Sequence, residues 1–218
     1  MKVKTMRNRF DEELDALHSM LSTMGAYCES AIASATKALL DGDIELAKQV
    51  MSSEGRINQI EQHIEEMCLR LILQQQPVAK DLRIISSAIK MITDMERIGD
   101  QACDIAEIVT MTDIKPIDAG TLGQMAREAI KMVTESVEAF VRSDLELAKS
   151  VIEYDDVVDN LFDKVKSELF QLIKAGSETA EYALDILMIA KYFERIADHA
   201  TNIAEWVVFS ITGTRVLT

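Results

Sequence analysis

The sequence predicts an all-α protein: a tandem duplication of a three-helix bundle, with six long antiparallel helices. Three observations carry this. The 218 residues are 48% hydrophobic and 5% aromatic, with only 2 Pro and 8 Gly, a helical composition dominated by Leu, Ala, Ile, Met, Glu and Lys. Apolar residues recur at three- and four-residue steps over long stretches. The segment Met95-Glu-Arg-Ile-Gly-Asp-Gln-Ala-Cys-Asp-Ile-Ala-Glu107 returns as Phe193-Glu-Arg-Ile-Ala-Asp-His-Ala-Thr-Asn-Ile-Ala-Glu205, and eight of the twelve positions from Glu96 to Glu107 are identical.

The first helix is expected from about Thr5 to Leu40, on the stripe Leu14, Leu17, Leu21, Met24, Cys28, Ile32, Ala35 and Leu39. Asp41-Gly42-Asp43 ends it and caps the next. The second runs from about Ile44 to Gln74, with Glu54, Asn58, Glu61 and Glu65 projecting inside its apolar arc. Gln75-Gln76-Pro77 separates it from the third, with the proline in the first turn, and that helix extends to about Met111. Along the third helix the line Leu82, Ile85, Ile89, Ile92 turns acidic, continuing as Glu96, Asp100, Cys103 and Glu107. Asp94 and Asp104 fall toward the polar side and are expected on a solvated face.

Lys115-Pro116 to Gly120 reads as the linker between two domains, 1–115 and 116–218. A fourth helix is expected from about Thr121 to Arg142. Ser143-Asp-Leu-Glu146 has the form of a capping box opening a fifth, which runs to about Ala175. Gly176-Ser177 breaks it, and a sixth covers about Glu178 to Ile211. Asp43-Ile-Glu-Leu-Ala-Lys48 matches Asp144-Leu-Glu-Leu-Ala-Lys149, a register that sets Glu54 against Asp155 and Asn58 against Asp159.

A net charge of −14 opposes binding to a phosphate backbone or an anionic lipid surface, so nucleic acid is not an expected partner. Cys28, Cys68 and Cys103 form no CxxC and no even framework, and read as buried reduced thiols. No apolar region follows the charged N-terminus, and no apolar run approaches the roughly 18–20 residues of a membrane span. The expectation is a cytoplasmic protein without direct membrane insertion.

Each repeat then carries a candidate set: Glu54, Asn58, Glu96 and Asp100 in the first, Asp155, Asp159, Glu194 and Asp198 in the second. Carboxylates four apart share one helix face and repel. Burial without counter-charge raises their pKa and costs several kcal/mol per ion. A multivalent cation removes both problems, and all-oxygen ligands suit Mg, Ca, Mn or iron. Salt bridges to Arg97, Arg195 or nearby lysines are the competing reading, and spacing alone favours neither. The two arginines sit about 100° round the helix from the acids, where Asp94, Asp104 or a neighbouring helix is the expected partner. His199 points away from the acidic line and is expected to be structural or exposed. A carboxylate-bridged di-metal enzyme is the catalytic alternative, but its usual Glu-x-x-His is absent from the sequence, with only Asp15-x-x-His18 near it. A metal-free helical scaffold is the third reading. No Ser-His-Asp grouping, phosphate loop or dinucleotide fingerprint points to an enzyme.

Ile189-Ala-Lys-Tyr-Phe-Glu-Arg-Ile-Ala-Asp-His-Ala-Thr-Asn-Ile-Ala-Glu205, and Gln75-Gln-Pro-Val-Ala-Lys-Asp-Leu-Arg83 followed by Glu96-Arg-Ile-Gly-Asp100, resemble the two repeat signatures of the PhoU family of phosphate-transport regulators. The resemblance covers nearly the whole chain. It implies tandem three-helix bundles and metal, often iron or zinc in multinuclear clusters, on Glu/Asp-x-x-x-Asp motifs. These map onto Glu96 and Asp100, Glu194 and Asp198, and Asp155 and Asp159. Glu54-x-x-x-Asn58 departs from the pattern by ending in an amide, so higher metal occupancy is expected in the second repeat. The resemblance further implies a regulator without catalytic turnover, restraining phosphate uptake and the phosphate-starvation response. Its partners would be a phosphate ABC transporter's ATPase subunit and a sensor histidine kinase, and a homodimer is among the assemblies it allows.

Overall fold

The heptad-like stripe of the first helix becomes the spine of the fold. In α1 (Lys2–Asp41), Leu17, Leu21, Met24, Cys28, Ile32, Ala35 and Leu39 are wholly buried. The structure is a computed structural model, and it describes residues 2–75, 77, 79–112, 120–175 and 180–215. The other helices are α2 (Ile44–Gln75), α3 (Lys80–Met111), α4 (Gly120–Arg142), α5 (Leu145–Ala175) and α6 (Ala180–Thr212), with no strand among the described residues. The expected bounds hold to within a few residues. The linker and domain boundary at 115–119 and the break at Gly176-Ser177 lie outside the described residues, as does Gln76.

Two helix starts differ from expectation. Pro77 is not in the first turn of α3, which begins at Lys80 after Ala79 at φ 44°. At α5 the cap is Asp144 rather than Ser143. Its Oδ1 accepts the Glu146 and Leu147 N–H groups at 3.1 and 3.0 Å, while Ser143 takes a left-handed φ of 51° to make the turn. The first repeat uses the same device: Gly42 at φ 66° and Asp43 Oδ1 accepting from Leu46 at 3.0 Å. A serine where its counterpart is glycine costs about 1 kcal/mol of backbone strain.

Each repeat packs its own three helices together, and α3 also lies against α6 more extensively than any other pair meets. With α1 against α4, the two repeats share one continuous core, and α2 and α5 flank it on the outside. α3 and α6 run antiparallel, because Arg83 near the start of α3 fills the space beside Gly213, past the end of α6. At Gly25 of α1 a Cβ would sit 3.2 Å from Val137 of α4, a close approach that only a small residue allows.

Gly99 sets the spacing that matters for the acids. It lies between Glu96 and Asp100 on α3, and a Cβ there would come 2.7 Å from Ile57 of α2, itself buried. Gly99→Leu is expected to destabilise the protein by about 1–3 kcal/mol through overpacking, and to push α2 away from the acid-bearing face of α3. Urea denaturation measures it; wild-type stability would mean that Ile57 has room to turn aside.

Candidate functional site

The structure gathers the second-repeat set on one face of α5 and α6. Asp155 is pushed up to about 6, first by burial, then by Asp198 and Asp159, while the Thr201 hydroxyl draws it down. Asp155 Oδ1 and Thr201 Oγ1 are both buried and neither completes a well-formed hydrogen bond. Asp159 is raised by desolvation and then by Glu194. Asp198 is raised by desolvation and then by Glu194, against the pull of Lys191. Lys191 pairs with Glu194 one turn along α6. These four carboxylates thus feel one another, with one lysine beside them.

The first-repeat set is arranged differently. Arg97 reaches both acids of its own helix, Nη1 to Asp100 Oδ2 at 3.0 Å and Nε to Glu96 Oε2 at 3.4 Å. That corrects the expectation that it turns to Asp94, Asp104 or another helix; a long side chain can curl back over a 100° offset. Glu96 is still raised, by partial burial and then Asp100, with Arg97 opposing and Glu54 adding to the shift. Asn58 Oδ1 is buried without a partner. The motif spacing had left Glu61 out of the set, yet it is raised by burial and then by Glu96. The signal was there: Glu54, Asn58 and Glu61 follow helical steps of four and three.

Neither Asp94 nor Asp104 stands on a freely solvated face. Asp94 is 16% exposed and its Oδ1 lies 2.9 Å from His199 Nδ1 and accepts from Asn202 Nδ2 at 3.2 Å, joining α3 to α6. His199 is therefore structural. Asp104 is half-buried, raised by desolvation and Asp100, and offset by Arg195 from α6. Both were misassigned for one reason: the polar face of α3 is covered by the other repeat, which the periodicity of a single helix does not reveal.

Cys28, Cys68 and Cys103 are free and buried. Burial pushes each thiol up to about 12, so without a metal all three are neutral thiols at neutral pH. Among the described residues, no three His, Cys, Asp or Glu side chains converge tightly enough, as placed, to hold a metal ion. The second-repeat donors nevertheless fit a hard cation: all are oxygens, they crowd one another, and Asp155 Oδ1 is buried and unpaired. The first repeat fits less well, since Arg97 already pairs with both Glu96 and Asp100 and Asn58 carries no charge. Among the described residues no helix is long and apolar enough to cross a membrane.

The PhoU domain family matches this chain over residues 21–109 and 122–207, one match in each repeat. A Pseudomonas aeruginosa relative, a phosphate-specific transport system accessory protein PhoU homolog, is 36% identical over 211 residues, covering 95% of this chain and 87% of its own. The crystal structure of PhoU from Pseudomonas aeruginosa superposes with a TM-score of 0.88 at 36% identity, over 94% of this chain and all of that one (100%). That of the phosphate transport system regulatory protein PhoU from Streptococcus pneumoniae gives 0.90 at 29% identity, over 96% of this chain and 100% of that one. With both repeats matched and the fold shared end to end, the chain belongs to the PhoU family.

Proposed function

We propose that this chain is a cytoplasmic regulator of phosphate uptake and phosphate-starvation signalling. It acts without catalytic turnover, as an adaptor between a phosphate ABC transporter's ATPase subunit and a sensor histidine kinase. Family membership supports the phosphate role, since relatives carry the name of phosphate transport accessory proteins. The observation that carries the site is the α5/α6 face, where burial and neighbouring carboxylates push Asp155 up to about 6. Asp155, Asp159, Glu194 and Asp198 are the residues that would hold a cation, with iron, zinc, manganese and magnesium as the candidate metals. A bound cation supplies positive charge that turns an anion-repelling face into one that accepts phosphate or an acidic side chain. The Thr201 hydroxyl opposes the upward shift of Asp155, and Lys191 pairs with Glu194. In the first repeat the salt-bridge reading is favoured, because Arg97 spans Glu96 and Asp100.

Elemental analysis tests this on protein purified without chelator or affinity metal, beside the combined Asp155→Ala, Asp159→Ala, Glu194→Ala and Asp198→Ala variant. Stoichiometric metal in the wild type, absent from a variant that stays helical, is the expected result. Phosphate should then bind the loaded protein more tightly than the chelator-treated one. Metal in neither protein, with silent cation titrations, or equal phosphate binding with and without metal, would refute the reading.

A further inference from the structure

Exposed apolar side chains and lysines alternate along the outer groove between α5 and α6. Phe170, Leu184 and Met188 are 55%, 59% and 48% exposed. Single exposed apolar residues are ordinary on a folded protein, whereas a contiguous group marks a contact surface. The pairs Asp155–Asp198, Asp159–Glu194 and Phe162–Lys191 ascend α5 as they descend α6, so the two helices are antiparallel. Lys191 Nζ lies 5.5 Å from the centre of the Phe162 ring and fixes the register. From there, at roughly 1.5 Å per residue, Met188 comes level with Lys166 and Leu184 with Phe170. Lysines are set among these apolar groups: Lys166 Nζ is 5.7 Å from the Phe162 ring centre, and Lys174 Nζ is 4.4 Å from that of Phe170.

Packing does not demand this pattern. The first repeat builds the same helix pair with Glu61 and Glu65 in place of Phe162 and Lys166, and with Ser86 and Lys90 in place of Leu184 and Met188. Of these apolar positions Phe170 alone keeps an apolar counterpart, Leu69. A groove between two antiparallel helices takes a third helix, whose apolar side chains at steps of three and four seat between theirs. The rim sets the charge of that helix. Lys174 has no acidic partner among the described residues. Lys166 has only Asp163, in an exposed pair one turn apart, and such pairs are weak enough to give way. Lys191 is shared with Glu194. An anionic lipid surface suits the groove poorly, because Asp159 and Glu194 adjoin it and the chain carries a net charge of −14.

We propose that the outer α5/α6 groove docks an acidic amphipathic helix of a partner protein, with its apolar face on Phe170, Leu184 and Met188 and its carboxylates on Lys166 and Lys174. The surface goes beyond the cation reading and does not rest on it, since none of these residues belongs to the candidate metal set.

The experiment is fluorescence anisotropy of a labelled synthetic peptide of about three heptads, with leucine at its a and d positions and glutamate on the flanks. It is titrated with chelator-treated full-length protein. Wild type should bind it, more weakly as salt rises, and should bind the same peptide with lysine for glutamate about tenfold more weakly. Phe170→Ser combined with Leu184→Ser should weaken binding of the glutamate peptide by about tenfold or more. Lys166 is exposed, so Lys166→Glu keeps the fold; it should lose several-fold and narrow the preference over the lysine peptide, and it decides the matter if the double variant loses its helical circular dichroism. No binding of the glutamate peptide, unchanged affinity in the variants, or equal binding of the lysine peptide would overturn the proposal. So would self-association of the wild type, seen by sedimentation and lost in the double variant, which would assign the groove to a second copy. Flotation with phosphatidylglycerol vesicles, lost in the same variant, would assign it to a membrane instead.

Discussion

Replacing the second-repeat acids by their amides, as Asp155→Asn, Asp159→Asn, Glu194→Gln and Asp198→Asn together, is expected to stabilise the metal-free protein at pH 8 and not at pH 4. Asp155 is held at about 6 in the folded state, and Asp159 and Asp198 are also raised, all with desolvation as the first cause. A raised carboxyl favours its neutral form, so between about pH 4 and 6 the native state binds more protons than the unfolded chain. Stability from these groups therefore grows as pH falls through that window and is lost as pH rises through it. The Asp155 shift alone corresponds to at most roughly 3 kcal/mol, and partial exposure brings the expected gain at pH 8 to about 1–2 kcal/mol. Cations reverse the order. At a hundredfold excess over its dissociation constant a cation stabilises the wild type by about 2.7 kcal/mol and the amide variant not at all. Urea denaturation in chelator and then with added metal reads both effects. Equal stability of the two proteins in chelator at pH 8 would mean that the carboxylates do not crowd one another, and the main argument for a cation there would fall.

What the sequence made legible follows from what local pattern encodes. Helical periodicity placed every element, because stripes such as Leu17 to Leu39 on α1 are buried as their spacing requires. Internal repetition placed the acids, because two copies in one register put Asp155 opposite Asp198 as it puts Glu54 near Glu96. The errors lie where a residue's environment comes from the other half of the chain. Asp94 looks solvent-facing on its own helix and is covered by His199 and Asn202, 105 and 108 residues away. Asp104 likewise looks solvent-facing on its own helix, and its partial burial and the approach of Arg195 depend on how α3 and α6 meet. Arg97 erred for a different reason: rotamer choice in a long flexible side chain leaves no trace in spacing.

The packing of α3 on α6 also decides how the duplicated halves unfold. Met95 and Phe193 occupy the same register position in the two repeats, immediately before each acidic pair, and both are wholly buried. Phe193→Ala is expected to cost about 3–5 kcal/mol and Met95→Ala about 2–5 kcal/mol, from lost transfer energy and the cavity left behind. Trp206, the single tryptophan, lies in the second repeat. If each repeat were an independent bundle, Met95→Ala would leave the Trp206 fluorescence transition where it is and split it from the loss of helix seen by circular dichroism. The continuous core through α1, α3, α4 and α6 predicts otherwise. Both variants should show one transition, with fluorescence and circular dichroism coincident and shifted together. A Trp206 midpoint unmoved by Met95→Ala would show that the α3–α6 contact does not couple the repeats. Coupling of that kind gives the contact a functional consequence: a change at the acidic face of one repeat is then felt as a change in stability of the other.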